Sequence, residues 1–341
     1  SGFRNGGRTV MMNAETKSTN LTALQQAVEH YELHGYAILR NHLSQETVEK
    51  IKHQISQLES KVVCVPSPFK SQKVGSAKHL VESAHQVVGF SSGPKKPIQQ
   101  IGHNLHGMVG DIASLCYSDK VWSICKALSI DDPRIVQSKV VLKPANHGWR
   151  VPAHTDEQFI FTRPLSGAGL WWAVDRCSKG NGCLEVIPGS HKEFKMESRF
   201  VCDHVMLCTK FSLIPPLENE TRVTWTKKCA QRYKSRFKVL EMKPGDLVIL
   251  HPFVIHTSAA NRSKFPRKAL TIHIVDGKYP WEKTNWIQPK EGGDFPEFPQ
   301  MKIKASENTN PRVVLSENKA SPHEASDMSF RQQKLSPVTS S

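Results

Sequence analysis

Apolar residues in the first third of the chain recur at the three-to-four-residue spacing of amphipathic helices. Thr22 begins one such stretch with a capping box, and Gly35 is a residue at which such a helix ends. A short apolar run over residues 36–39 follows. Ser44 then caps a second stretch whose apolar seam extends to Leu58. The pattern predicts two helices joined by a short buried strand.

Beyond residue 133 the pattern changes to short apolar runs separated by Pro and Gly. The runs typical of strands occupy residues 135–142, 169–174, 183–187, 239–241, 247–250 and 268–275. No helical pattern alternates with them. The sequence therefore predicts a mainly β fold, an antiparallel sandwich or jelly roll, with the N-terminal helices packed on one sheet.

Several segments lack an apolar period. Residues 62–100 are rich in Ser, Lys, Gly and Pro and are expected to form a long loop over a site, and residues 192–236 look like an insertion. Residues 301–341 are Ser-, Asn-, Lys- and Pro-rich and are predicted to be a disordered tail. We expect residues 1–19 to be disordered or left over from cloning, and residues 20–300 to form one domain.

The composition is that of a folded protein in a reducing compartment. The chain of 341 residues is 38% apolar and 23% charged, and no apolar run approaches the ~20 residues needed to span a bilayer. Eight cysteines form no Cys-x-x-Cys pair, which favours free thiols. The two ends carry no secretory, peroxisomal or ER-retention signal, so a cytoplasmic location is expected.

The net charge of +15 is concentrated in part over residues 227–238, which contain no acidic residue. A solvated basic loop is the simplest interpretation of this segment. The alternative is attraction of an acidic small-molecule or acyl substrate. No aromatic-interleaved motif or recognition helix accompanies the charge, so we expect no nucleic-acid partner.

Metal-binding chemistry is indicated by His154 and Asp156, which are separated by one residue and can point to the same side of a strand. Imidazole and carboxylate together suit a divalent first-row metal. A third ligand must come from elsewhere, and His256 at the end of an apolar run is the best candidate, with His251 in the same segment as the alternative. Two histidines and one carboxylate leave coordination positions open for a cosubstrate and O₂.

Arg267 follows His256 by eleven residues and opens the next strand. Antiparallel neighbours in a jelly roll would direct both side chains to one cavity. A dicarboxylate such as 2-oxoglutarate needs a fixed cationic partner for its distal carboxylate, and the guanidinium fork suits this role. Ser258, two residues past His256, would share its strand face and add a hydrogen bond.

These groups occur together with further motifs along the chain. The motifs are Tyr36–Asn41 after a helix, Ile101–His103, Asn181–Leu184 and Pro188–Lys192. The whole set, spread over about residues 20–298, resembles the phytanoyl-CoA dioxygenase family. The resemblance implies a double-stranded β-helix that binds Fe(II) and 2-oxoglutarate, with O₂ as the second cosubstrate.

The resemblance also assigns residues. It places the catalytic iron on His154, Asp156 and His256, and 2-oxoglutarate on Arg267, Ser258 and one tryptophan of the Trp171–Trp172 pair. Neighbours on a strand point in opposite directions, and the spacing to Asn181 favours Trp171. The remaining predicted cosubstrate contacts depart from the family pattern. Gln100 stands where relatives have Lys, and Lys139 stands where they have Met, which would preserve the positive charge.

The function implied is that of a non-haem iron dioxygenase that hydroxylates an unactivated C–H bond of a lipid-derived or small-molecule substrate, with release of succinate and CO₂. The alternative is a non-catalytic metal-binding jelly-roll module that acts through its basic surface. A hydrolase or isomerase with the same ligands is a second alternative, although it has no need of Arg267. Other histidines, including His103 and His106, are expected to be structural.

Overall fold

The computed structural model describes residues 11–66, 75–93, 95–108, 110–214, 221–290 and 293–299. Its helices are α1 (Met11–His34), α2 (Gln45–Lys61), α3 (Lys78–Glu82), α4 (Leu105–Met108), α5 (Gly110–Cys116), α6 (Asp119–Ala127), α7 (Ser190–Glu193) and α8 (Lys227–Arg232). Within these residues no helix is both long enough and apolar enough to cross a membrane.

The strands form two main sheets and two small ribbons. They are β1 (Tyr36–Leu39), β2 (Cys64–Pro66), β3 (Val87–Ser91), β4 (Ile98–His103), β5 (Pro133–Lys143), β6 (Val151–His154), β7 (Ala168–Ala173), β8 (Leu184–Val186), β9 (Phe194–Met196), β10 (Ser198–Asp203), β11 (Cys208–Leu213), β12 (Val223–Trp225), β13 (Lys238–Leu240), β14 (Leu247–Leu250), β15 (His256–Ser258) and β16 (Arg267–Asp276).

The large sheet has the strand order β1-β14-β7-β16-β5-β4-β3-β2, and the small sheet has the order β13-β8-β15-β6. The ribbons pair β10 with β11 and β12 with β9. Strands distant in sequence are thus neighbours in both sheets. This arrangement confirms the expected double-stranded β-helix with helices on one side of the large sheet.

Strand β16 shows how one strand serves two surfaces, because side chains alternate between the faces of a sheet. Leu270, Ile272 and Ile274 belong to the main core, which the large sheet shares with the buried seam of α2. Ala269 belongs to a second core with Leu184 and other residues of the small sheet. The face of β16 that carries residues 267, 269, 271 and 273 is therefore turned toward the small sheet.

The start of the first helix differs from the sequence expectation. Helix α1 begins at Met11 rather than at Thr22, because no Gly or Pro interrupts residues 11–34. Residues 11–19, expected to lie outside the fold, are thus part of this helix. Residues 1–10 and the expected tail 301–341 lie outside the described residues. Helix α2 agrees with expectation: the Ser44 hydroxyl accepts the N–H of Thr47 at 3.2 Å.

Residues 62–100 were expected to form a loop but contain β2, α3 and β3. Strand β3 pairs along its length with β4, and Val88 and Phe90 pack with Val65 of β2 in a small core. Strands this short are stabilised by their sheet neighbours, so their own sequence carries little period. The expected insertion at 192–236 likewise contains four short strands and α8.

Candidate metal centre

Two strands of the small sheet bring the predicted ligands together. His154 ends β6, and Asp156 opens the 3₁₀ turn that follows. His256 begins β15 and is the register partner of His154 in the antiparallel pair. One ligand atom from each of the three side chains lies within 4.8 Å of the others, and the two imidazole centroids are 4.2 Å apart. The geometry can hold a single metal ion.

Backbone carbonyls fix the tautomers of both histidines. His154 donates its Nδ1–H to the carbonyl of Pro152 at 2.8 Å, and His256 donates its Nδ1–H to the carbonyl of Val254 at 3.1 Å. A carbonyl only accepts, so the proton is on Nδ1 and the lone pair is on Nε2. His256 Nε2 lies 3.7 Å from Asp156 Oδ1. The unprotonated Nε2 atoms and the Asp156 carboxylate, which carry the lone pairs a metal needs, thus converge.

The electrostatics favour the protonation states that metal binding needs. Burial alone would raise the pKa of the Asp156 carboxyl, but the imidazoles of His273 and His256 outweigh it and hold that pKa below its ordinary range. Burial, with a contribution from His256, lowers the pKa of His154 to about 3. A charged carboxylate beside a neutral imidazole fits Fe(II) or a similar first-row ion.

His273 is a further polar residue of this centre that the motifs do not identify. Its Nε2 lies 3.3 Å from Asp156 Oδ1, and its side chain is buried. The sequence does contain a signal for it. His273 follows Arg267 by six residues on one strand, and an even spacing places both on the same face.

Gly169 of β7 leaves room for the other oxygen of this carboxylate. It is the register partner of His273, and a Cβ at this position would lie 2.9 Å from Asp156 Oδ2. Real Cβ atoms do not approach oxygen this closely, so any side chain here would displace the carboxylate. Among the described residues Asp156 Oδ2 has no hydrogen-bond partner.

Arg267 is a buried cation with unused donors. Only 1% of it is exposed, and its Nη2 donates to the carbonyl of Gly182 at 2.8 Å. Its Nε and Nη1 have no partner in the part of the chain that the structure describes, where no carboxylate lies within ion-pair distance either. Burial lowers the pKa of Arg267. A buried guanidinium with free N–H groups fits a carboxylate ligand.

The tryptophan pair divides as expected. The Arg267 guanidinium lies over the Trp171 ring at 5.5 Å, and Trp171 belongs to the core between the sheets. Trp172 belongs to the main core on the helix side and donates its Nε1–H to His42 at 3.1 Å. Only Trp171 therefore faces Arg267.

The other expected cosubstrate residues lie on three different strands, β15, β5 and β4. Ser258 is buried on β15, on the strand that begins with His256. Lys139 pairs with Thr271 of β16 and shares its sheet face; burial lowers the pKa of Lys139, which Asp156 partly offsets. Gln100 lies one strand farther away on β4, where its amide contacts His103 Nε2. Gln100 is thus engaged within the fold.

Lys143 is a second buried cation that the motifs do not identify. It is the register partner of Arg267, and its ammonium donates to the carbonyl of Trp149 at 2.7 Å and to the carbonyls of Ser258 and Ala259. Burial, with the nearby Arg267 charge, lowers the pKa of Lys143 to about 7. The ammonium of Lys143 is thus occupied, whereas Nε and Nη1 of Arg267 have no partner among the described residues.

The remaining histidines lie elsewhere. His251 packs against Tyr31 at 5.4 Å and His191 at 4.8 Å between ring centroids. His106 bonds to Ser138 at 2.7 Å, and His103 bonds to Ser83 at 2.7 Å. In the described residues no second group of three such ligands could hold a metal.

An aromatic cluster connects the metal centre with the surface. Phe159 lies edge-on to His154 at 5.7 Å between centroids and is 5.7 Å from Phe200. Phe200 in turn lies 5.5 Å from Phe211, which is 52% exposed on β11. We call Phe159, Phe200 and Phe211 the aromatic wall.

The basic segment lies on another surface. Cys229, Ala230 and Tyr233, from α8 and the residue after it, pack on a hydrophobic cluster that contains Ile255 and on which Ala153 also packs. These two are sequence neighbours of His256 and His154, and neighbouring side chains of a strand point to opposite faces. Helix α8 therefore covers the face of the small sheet opposite the ligands. Arg236 is also engaged, in a two-pronged ion pair with Glu193 at 2.6 and 2.7 Å.

Known proteins resemble this chain over most of its length. The family model described as Phytanoyl-CoA dioxygenase (PhyH) matches residues 31–269. A relative from Caenorhabditis elegans, the phytanoyl-CoA dioxygenase domain-containing protein 1 homolog, is 28% identical over 291 residues, which are 79% of this chain and 97% of the relative.

Two solved structures share the fold. EctD from S. alaskensis, crystallised with 2-oxoglutarate and 5-hydroxyectoine, has a TM-score of 0.54 at 18% identity and covers 75% of this chain and 77% of its own. The epimerase SnoN, in complex with Fe3+, alpha ketoglutarate and nogalamycin RO, has a TM-score of 0.55 at 15% identity and covers 81% and 93%. At these identities the similarity establishes the fold alone.

Proposed function

Because this chain belongs to the phytanoyl-CoA dioxygenase family of 2-oxoglutarate-dependent non-haem iron oxygenases, we propose that it hydroxylates an unactivated C–H bond of a lipid-derived or small-molecule substrate. The iron ligands in this proposal are His154, Asp156 and His256, whose donor atoms converge. Bound Fe(II) and 2-oxoglutarate supply O₂ activation: one oxygen atom enters the substrate, the other enters succinate, and CO₂ leaves.

The observation that carries the proposal is the unsatisfied guanidinium of Arg267. A buried cation whose Nε and Nη1 have no partner among the described residues is costly unless an anion completes it. Arg267 lies on the face of the large sheet that is turned toward the metal centre. The distal carboxylate of a 2-oxoglutarate bound at the metal centre would be an anion on this face and would complete the guanidinium. A hydrolase or isomerase with the same three ligands would leave the cation unexplained.

Other residues of the chain have supporting roles in this proposal. Trp171 holds the guanidinium plane, and Ser258 adds a hydroxyl near the distal carboxylate. Lys139 contributes positive charge near Asp156, while Gln100 acts only through its contact with His103. The structurally similar proteins EctD and SnoN were crystallised with the same cosubstrate, which is consistent with this use of the fold.

The aromatic wall favours a substrate with an apolar part beside the reacting carbon. Its three rings extend from His154 to the exposed Phe211, in a hairpin that also exposes the apolar residues Val205 and Leu213. Apolar surface of this kind binds hydrocarbon in preference to charge. The basic segment gives no support for an acidic reacting end, since α8 lies on the opposite face.

Residues 20–300 would form the catalytic domain in this proposal. The eight cysteines are free, in keeping with a reducing compartment. The cytoplasm as that compartment stays a prediction.

The test is succinate formation from 2-oxoglutarate without any prime substrate. The purified chain is loaded anaerobically with Fe(II), given 2-oxoglutarate and exposed to O₂. Uncoupled succinate that disappears in His154→Ala but persists in His251→Ala supports the reaction class. A metal-dependent rise in melting temperature with 2-oxoglutarate, without succinate, indicates an enzyme that waits for its substrate. The absence of both rejects the proposal in favour of a non-catalytic module.

A further inference from the structure

Two residues that are not metal ligands in this proposal lie beside the carboxylate of Asp156. His273 Nε2 is 3.3 Å from Oδ1. Gly169, the register partner of His273, leaves room for Oδ2, which a Cβ there would approach to 2.9 Å. Oδ1 is also the oxygen that lies 3.7 Å from His256 Nε2. The oxygen directed at the ligand set is thus the one that His273 contacts.

The tautomer of His273 follows from this contact. An ionised carboxylate only accepts hydrogen bonds, so the proton of a neutral His273 ring is on Nε2. Its Nδ1, which is buried and has no partner among the described residues, is then an unprotonated acceptor and leaves no N–H unsatisfied. His273 is further held by β16, which is paired on both sides, with Gln137 of β5 and Gly169 of β7 opposite His273.

We propose that His273 is a positioning residue that fixes the orientation of Asp156, so that Oδ1 alone is presented to the metal. The inference rests on the proposed function, since it requires a metal at His154, Asp156 and His256. An N–H donated to Oδ1 restricts rotation of the carboxyl group, while Gly169 allows Oδ2 to lie on the far side. Partners of this kind typically change metal affinity by about 10- to 100-fold.

The experiment measures Co(II) binding to the full chain by titration of its visible absorption bands. His273→Leu removes the N–H at similar volume, and His273→Gln restores an N–H at the same reach. His106→Leu is the matched control, because His106 is equally buried but bonds to Ser138 rather than to a ligand. Far-ultraviolet circular dichroism of each metal-free variant reports folding.

The expected result is that His273→Leu weakens Co(II) binding by about 10- to 100-fold and shifts the absorption bands. His273→Gln and His106→Leu should both bind Co(II) nearly as the unmodified chain does. Unchanged affinity and spectrum in His273→Leu would overturn the inference, and so would equal losses in the Leu and Gln variants. If His273→Leu does not fold, His273→Asn, whose shorter amide cannot reach Oδ1, takes its place with the same expected loss.

The same titration separates this inference from the proposed function. Co(II) binding that His154→Ala abolishes but His273→Leu leaves intact rejects the role of His273 and keeps the metal centre. A chain that takes up no Co(II) at all rejects the metal centre and the inference with it.

Discussion

The two sheets direct different chemical groups, metal ligands from one and cations from the other, toward the space between them. The small sheet, with strands of three or four residues, supplies His154 and His256, and Asp156 follows directly after its strand β6. The large sheet, with strands β5 of 11 and β16 of 10 residues, supplies the cations Lys143 and Arg267. The ammonium of Lys143 is bonded to backbone carbonyls, whereas Nε and Nη1 of Arg267 have no partner among the described residues. The small sheet thus presents lone pairs, and Arg267 of the large sheet presents N–H donors. A metal with an anionic chelator satisfies both sides at once.

The difference between the sheets also concerns rigidity. Strand β16 is paired with β5 along its whole length and with β7 over residues 269–274, so the cations of β5 and β16 are fixed before any ligand binds. The ligand strands β6 and β15 share only a short ladder that contains a register shift. We therefore expect substitutions in the small sheet to act on metal binding. Substitutions in the large sheet should act on cosubstrate binding or on the core, except at His273 and Gly169, which lie beside Asp156.

The largest expected effect is that of His154→Ala. Loss of one of three protein ligands should weaken Fe(II) binding by about 10⁴-fold, or roughly 5 kcal/mol. His251→Ala should leave Fe(II) affinity unchanged, because His251 packs against His191 and Tyr31. Anaerobic Fe(II) titration measures both variants. A loss of Fe(II) affinity in His251→Ala with no loss in His154→Ala would make His251 the ligand instead of His154.

Arg267→Ala should act on the cosubstrate alone. Leaving the distal carboxylate of 2-oxoglutarate without its partner should cost about 3–5 kcal/mol of binding, a hundredfold or more in Kd. Fe(II) affinity should not change. Lys268→Ala is the control, since Lys268 points to the other face and pairs with Glu59. Calorimetric titration of the metal-loaded variants checks this, and an unchanged 2-oxoglutarate affinity would sink the assignment.

The tryptophan pair tests the boundary between core and cavity within one strand. Trp172→Phe should lower the free energy of unfolding by about 2 kcal/mol, because it removes buried ring atoms and the donor to His42. It should leave the Kd of 2-oxoglutarate as it is. Trp171→Phe should instead raise that Kd several-fold, through the lost contact with Arg267. Urea unfolding and cosubstrate titration of both variants test this assignment. A raised Kd in Trp172→Phe together with a stability loss in Trp171→Phe would place Trp172 at the site.

The smallest expected effect is that of Lys139→Met. Removal of one positive charge near, but not in contact with, the chelator should weaken 2-oxoglutarate binding by about three- to tenfold, under 1.4 kcal/mol. Lys238→Met controls for net charge, because Lys238 is exposed and stacks on Tyr36. The Kd measured at low and moderate salt for both variants is the readout. An equal loss in Lys238→Met would mean that only the overall charge matters.

Part of the candidate site could be predicted from sequence because two of its pairs are local, whereas the meeting of His256 with His154 depends on the pairing of β15 with β6. The period of two joins His154 to Asp156, and a single strand and its connection join His256 to Arg267. The same alternation predicted that only one of Trp171 and Trp172 faces the site, and the spacing to Asn181 favoured Trp171. The roles of His273 and Lys143 depend instead on the register of β16 against β5 and on the approach of the small sheet, which no spacing along the chain specifies.

The errors of the sequence prediction have the same origin. Strand β3 was taken for part of a loop because its order comes from its pairing with β4. Helix α1 extends past its expected cap because nothing in residues 11–21 interrupts a helix. The basic segment, for which an acidic substrate was the alternative interpretation, packs through Tyr233 on the hydrophobic cluster behind the small sheet, which its charge pattern did not indicate. Tertiary packing decides all three features.

Gly169 has a consequence for how variants of this protein are interpreted. Substitution of a strand glycine by alanine is commonly taken as mild, and nothing in the ligand motif draws attention to position 169. Yet the methyl group of Gly169→Ala would occupy space that the Asp156 carboxylate uses. The methyl carbon would also lie 3.6 Å from the Cβ of Leu250. A conservative change in an apolar strand should therefore behave like the loss of a metal ligand.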